Sequence, residues 1–357
     1  MKKIFLIFPL VILLFSVNGQ VAKYSNEFLA IGVGARSLAM ANAQTASVND
    51  VTAAFWNPAG LVHMSSSKQI GLMHAEYFAG VAKYDYAGFA MDIDTSSTFA
   101  VSLIRFGIDD IPNTLDLYDE QGNINYDRIS KFSAADYAAL FSYSRKSRIS
   151  GLSYGANVKI IYRQIGSFAK AYGFGLDAGI QYSLKDWRFG ATGKDITSTF
   201  NAWTYSLTED EKEVLEATGN ELPENSMEVT MPRLILGAAR YIRISKSFSS
   251  LVEADFDITF DGKRNTLVKS DFASIDPHLG VEVDYKKIVF LRAGIGNIQE
   301  ETDFGNKTTT TFQPNIGIGI RIRKMISIDY ALTDIGDNSI ALYSNVFSLR
   351  IDLGNKE

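Results

Sequence analysis

The chain contains no cysteine among its 357 residues. That excludes a disulfide framework, a thiolate metal site and an N-terminal lipid anchor of the lipoprotein type. Histidine is scarce as well. His63, His74 and His278 lie far apart with no His–His or His–Glu ligand spacing, so neither a metal nor a cofactor is expected. Basic runs are missing: 35 Lys and Arg stand against 40 Asp and Glu, a formal charge of −5, which makes nucleic acid a poor partner. Beyond Gly19, no stretch approaches the roughly 20 consecutive apolar residues that a spanning helix needs. Catalytic motifs are absent too. No Gly-x-Ser-x-Gly elbow occurs, and Gly317-Ile318-Gly319 sits inside an alternating stretch with no helix to follow it. The sequence therefore predicts no enzyme.

What is present begins with the leader. Lys2 and Lys3 precede an apolar run from Ile4 to Phe15, and Val17, Asn18 and Gly19 follow at the positions a signal peptidase reads. Residues 1–19 are expected to be a signal peptide that is cut after Gly19. Loss of the two lysines takes the charge from −5 to −7. The remainder is rich in aromatics, with 17 Tyr and 23 Phe, and has only 7 Pro. Long strands with aromatic residues at membrane interfaces fit that profile.

Alternation is clearest near the end of the chain. Phe312, Ile316, Ile318, Ile320 and Ile322 alternate with Gln313, Asn315, Gly317, Gly319 and Arg321. Ile326, Ile328, Tyr330 and Leu332 alternate with Ser327, Asp329, Ala331 and Thr333. Each segment has one apolar face and one small or polar face, as side chains on a strand point to opposite sides. A soluble sandwich shares that period. Strands of ten or more residues with Gly-rich, charged second faces favour a membrane barrel.

About fourteen such segments are read, near 67–79, 82–92, 96–107, 132–148, 151–166, 170–184, 186–197, 231–244, 247–260, 275–285, 288–297, 310–323, 325–335 and 341–353. The links sort by parity. Those around Lys185, Ser245–Lys246, Lys286–Lys287 and Lys324 are short, whereas 108–131, 198–230, 261–274 and 298–309 are long and follow odd-numbered strands. Short periplasmic turns and long outer loops produce this asymmetry when both termini are periplasmic. The expected fold is all-β, a transmembrane antiparallel β-barrel of about 14 strands over 67–357.

Residues 20–66 do not alternate and are expected to form an N-terminal plug in the lumen. Within them Gly32, Gly34, Ala35 and Ala39 allow close backbone approach to a wall. Pro58 disfavours helix at Asn57, which can bond neighbouring backbone to fix a turn and so aim Phe55 and Trp56. Arg36, once buried in a lumen, requires an acidic partner such as Asp255, Asp257 or Asp329. Either these residues seat the plug, or Phe55, Trp56 and Asn57 line a ligand path or gate. Arg36, Phe55, Trp56, Asn57 and Pro58 are the candidate site.

Here the chain resembles the PorV/PorQ-like family of outer-membrane proteins, within the wider FadL-like barrel group. The resemblance rests on Gly34-Ala35-Arg36-Ser37, the Asp50 preceding Phe55-Trp56, and Asn57-Pro58-Ala59-Gly60-Leu61. Leu291-Arg292-Ala293-Gly294, Ile328-Asp329-Tyr330-Ala331 and Phe347-Ser348-Leu349 agree with the family's last strands. It implies an outer-membrane protein in contact with lipid. It further implies a scaffold or shuttle of the type IX secretion system, meeting the translocon or cargo C-terminal domains through loops 108–131 and 198–230. Glu209, Asp210, Glu211, Glu213 and Glu216 make the second loop acidic, as a solvated helix face or a contact surface would be. The alternative is transport of hydrophobic small molecules, as in FadL-like barrels. That requires an apolar pocket, built from Met40, Phe55 and Trp56, and a lateral opening at a kinked strand, although the sequence shows no clear kink.

Overall fold

The computed structural model describes residues 25–115, 117, 123–302, 308–335, 343–354 and 356. The expected leader and its cleavage point lie outside the described residues. The strands form one closed antiparallel sheet whose first and last members pair, Lys68 with Leu353 through to Glu76 with Asn345. The fourteen wall strands begin with β1 (Lys68–Tyr77), β2 (Ala82–Asp92), β3 (Ser97–Asn113), β4 (Ser130–Lys146), β5 (Leu152–Ile165) and β6 (Ala169–Leu184). β7 is Trp187–Lys194 continued by Thr199–Tyr205, and β8 is Ser226–Thr230 continued by Arg233–Arg243. β9 (Phe248–Thr259), β10 (Ser274–Tyr285), β11 (Val289–Thr302), β12 (Thr308–Ile322), β13 (Ile326–Thr333) and β14 (Ser344–Leu353) complete the wall.

Closure removes the open edges of the sheet, so ladder bonds pair the backbone around the wall except at bulges such as the one between β6 and β7. The faces alternate as the sequence predicts. On β6, Tyr172, Phe174, Ile180 and Tyr182 point outward, while Gly175, Asp177, Gly179 and Gln181 are buried on the inner side. The rings of Tyr137, Tyr162 and Tyr172 lie side by side across β4, β5 and β6, near the long-loop end. Tyr182 pairs with Phe189, which stacks on Trp187, near the other end. Ten residues of β6 separate Tyr172 from Tyr182. That is about 33 Å along a strand and about 25 Å along the axis at a tilt of roughly 40°, the height of an outer-membrane apolar band.

All links at the end that carries both β1's start and β14's finish are short. Lys286 and Lys287, with φ of 53° and 55°, form one of them. Paired positive φ values give a turn whose twist matches the strands it joins. Long connections occur at the opposite end, and two of them are shorter than the sequence predicts. β3 runs to Asn113, β4 starts at Ser130, β7 runs to Tyr205 and β8 starts at Ser226. The acidic stretch of the 206–225 loop forms α3 (Glu209–Ala217; α1 and α2 lie upstream in the chain), an exposed helix. Thr208 and Glu211 close its capping box.

Residues 25–66 lie against the inner faces of strands on all sides of the wall. They contain α1 (Ala35–Ala39), α2 (Ala53–Trp56) and 3-10 turns at Glu27–Leu29 and Pro58–His63. The main hydrophobic cluster joins Val33, Leu38, Val51, Phe55, Trp56 and Leu61 of this segment to Met73, Tyr84, Ile104 and Leu140 of the wall.

Candidate functional site

The segment is held by polar groups that the inward faces supply. Arg36 makes two bonds to Glu282, Nε to Oε2 at 2.9 Å and Nη2 to Oε1 at 3.2 Å. Arg292 bridges the same carboxylate, at 2.6 Å, to Asp329, also at 2.6 Å. This corrects the expected partners of Arg36. Asp255 accepts the N–H groups of Gln44 and Thr45, Asp257 pairs with Arg233, and Asp329 is taken by Arg292. Glu253 accepts from Ala46 and Ser47, so two carboxylates of β9 satisfy four successive backbone donors. On the far side, Asp50 pairs with Arg350 at 2.9 Å, and Gln69 Oε1 accepts from Val51 N.

Asn57 does what its position before Pro58 predicts and reaches further. Its Oδ1 accepts from Ala59 N, while its Nδ2 donates to Thr45 O at 2.9 Å and to Ile180 O at 3.0 Å. The turn sits directly on glycines of the wall. A Cβ on Gly179 would stand 2.1 Å from Asn57 Oδ1, and one on Gly155 would stand 2.6 Å from the carbonyl carbon of Pro58. Trp56 donates from Nε1 to Val33 O at 2.8 Å and covers Gly32, whose φ is 97°. His63 bonds Ser153 at 3.0 Å at the short-turn end. Its imidazole is pushed down to about 4 by burial, with Arg188, Lys146 and Lys356 adding repulsion.

Toward the long-loop end the lumen stays open. A cavity of about 770 Å³ is bounded by Leu38, Asn42, Phe55 and Trp56 of the segment. Phe28, Ile31, Tyr77 and Phe106 line its apolar side, and Arg233, Asp257, Asp276 and His278 line the polar side. The candidate residues therefore divide. Phe55 and Trp56 face the cavity in an edge-to-face pair with centroids 5.0 Å apart, whereas Arg36, Asn57 and Pro58 hold the segment beneath. Met40, expected to line the pocket, does not. It is fully buried against Gly280 and Gly294.

The wall is interrupted beside this cavity, where the sequence shows no kink. Ala178 pairs with Gly193 and Phe174 with Phe200, so three residues of β6 face six of β7. In β8, Met231 and Pro232 break the strand opposite. Proline supplies no ladder donor, and Asp195 and Ser198 adopt φ values of 54° and 59°. The bulge is pinned from inside by Lys159, which contacts Asp177 at 3.1 Å and Asp195 at 2.6 Å. Next to it Lys194 places Nζ 3.9 Å from the Phe55 ring centroid and 5.4 Å from that of Trp56. Lys194, Tyr77 and Phe106 escaped the sequence reading. Their inward parity was legible, but their convergence on one cavity depends on strands far apart in the chain.

No family model matches this sequence, and no curated protein matches it. Solved structures do. The toluene transporter TodX of P. putida superposes with a TM-score of 0.58 at 14% identity, covering 91% of this chain and 99% of that one. The monoaromatic hydrocarbon channel CymD gives 0.56 at 12% identity, covering 92% and 99%. The toluene transporter TbuX of Ralstonia pickettii gives 0.54 at 16%, covering 90% and 98%. The chain thus has the fold of outer-membrane hydrocarbon channels over nearly its whole length.

Proposed function

We propose that this chain is a non-catalytic channel for small hydrophobic molecules in a bacterial outer membrane, with its short turns in the periplasm. Residues 25–66 act as the plug, and Phe55 and Trp56 act as its gate. The observation that carries this reading is the 770 Å³ cavity with a ring-rich side, closed beneath by Phe55 and Trp56 inside the barrel. A concave, largely preformed pocket with a few polar groups is the usual form of a small-molecule site. The likeness to TodX and CymD supports the same direction through the fold. The type IX shuttle role, with translocon or cargo docking on the long loops, rests on sequence motifs alone.

The test is uptake of 1-N-phenylnaphthylamine by Gram-negative cells that lack their own hydrophobic channels and express this protein. Faster uptake, without faster entry of a hydrophilic dye, is expected, and the Phe55→Ala/Trp56→Ala double variant should change the rate. Folded protein in the outer membrane with no change in uptake would refute the reading.

A further inference from the structure

One cation at the cavity stands apart from its neighbours. Lys159 contacts Asp177 and Asp195, Arg233 contacts Asp257, and Arg264 contacts Asp261. Among the described residues, no carboxylate lies within ion-pair distance of Lys194 and no hydrogen bond satisfies it. Its ammonium rests on the rings of Phe55 and Trp56. Lys194 is only 6% exposed. An aromatic face offsets part of the cost of burying a charge, but less than an anion does. Beside Lys194 a second cavity of about 50 Å³ opens toward the bulge at Asp195 and the break at Met231–Pro232. A single water needs roughly 10–15 Å³ of such space, so this one has room for a group the size of a carboxylate. Lys194, Phe55 and Arg233 line both cavities, so the two adjoin at these side chains.

We propose that the cargo is a compact aromatic carboxylate, with its ring among Phe28, Tyr77, Phe106 and Trp56 and its carboxylate accepting a hydrogen bond from Lys194 Nζ. The inference rests on the transport reading. It deepens that reading by making the channel selective for charge. Rings outnumber the aliphatic side chains Ile31, Leu38 and Ile235 in the apolar lining, which ends on the segment beneath, and this favours a flat, short body over an extended chain. A neutral hydrocarbon would leave Lys194 unpaired, whereas an anion gains a charge-assisted bond in a site shielded from water.

Calorimetric titration of the detergent-purified protein with 4-butylbenzoate and its neutral analogue 4-butylbenzamide tests this. The acid is expected to bind at least roughly tenfold more tightly, the worth of one charge-assisted bond. Lys194→Met should erase the preference and Lys194→Arg should retain it, with a heat-modifiable gel shift confirming that each variant folds. Equal binding of acid and amide, no binding of either, or an unchanged preference in Lys194→Met would overturn the proposal. Tighter binding of laurate than of 4-butylbenzoate would overturn its aromatic, compact part. Uptake of 1-N-phenylnaphthylamine with no carboxylate preference would sink this inference alone. Loss of both would sink the channel reading as well.

Discussion

The two halves of the lumen use the same kinds of residue to opposite ends. In the half near the short turns, charges are consumed by structure: Arg36, Glu282, Arg292 and Asp329 form one chain, and Glu253 and Asp255 saturate the backbone of residues 44–47. Several glycines there are seats filled by the segment's own atoms, Gly155 and Gly179 by the Asn57-Pro58 turn and Gly280 and Gly294 by Met40. In the half near the long loops, a cavity remains, the wall bulges, and Lys194 rests on two rings with no carboxylate within ion-pair distance among the described residues. Inward polarity is therefore no guide to function by itself. A polar group matters for binding where the chain has not already satisfied it.

The largest expected effect lies in the closed half. Glu282→Ala strands Arg36 and Arg292 without their shared carboxylate, and should cost about 3–5 kcal/mol, the usual penalty for breaking a buried pair. Urea unfolding in lipid vesicles measures it, and an unchanged midpoint would remove the network's role as a clamp. Next comes acid. The folded His63 titrates near 4 against an ordinary value of 6.5, so the unfolded chain takes up the proton first and stability falls as pH drops through that window. The loss is about 1.4 kcal/mol for each unit of pH within it. His63→Gln should flatten the slope, and an equal slope in both proteins would assign acid sensitivity elsewhere.

Gly179→Ala presses a methyl on Asn57 and should cost about 1–3 kcal/mol as the segment lifts from β5 and β6. Limited proteolysis of residues 25–66 should then quicken, and unaltered cleavage would mean that the seat is not needed. The smallest effect is expected in the open half. Lys194→Met removes a buried charge that has no ion partner, so stability should change by less than about 1 kcal/mol or rise. A loss as large as that of Glu282→Ala would erase the contrast between the halves.

Much of the wall was legible in the sequence. All fourteen strands overlap the segments where alternation was read, and the short links fall at Lys185, Lys286–Lys287 and Lys324 as expected. Strand ends were less legible. β3, β4, β7 and β8 extend past the apparent ends of alternation, because bulges near Asp110 and at Asp195–Ser198 shift the parity. In the candidate site, Asn57-Pro58 was understood locally, since a residue before proline is constrained by its own neighbours. The partner of Arg36 was not.

Which side chains point outward, how many strands the chain builds and where it turns could all be read along the chain. Alternation and turn chemistry act between neighbours, and neighbours are visible in a line of text. The folded barrel alone shows that Glu282 catches Arg36, that β7 bulges beside β8, and that Lys194 meets Phe55 with no counter-ion among the described residues. Those outcomes follow from barrel closure and cross-strand register. Each links residues far apart in the chain, and a shift of one residue would turn every inward side chain to the lipid.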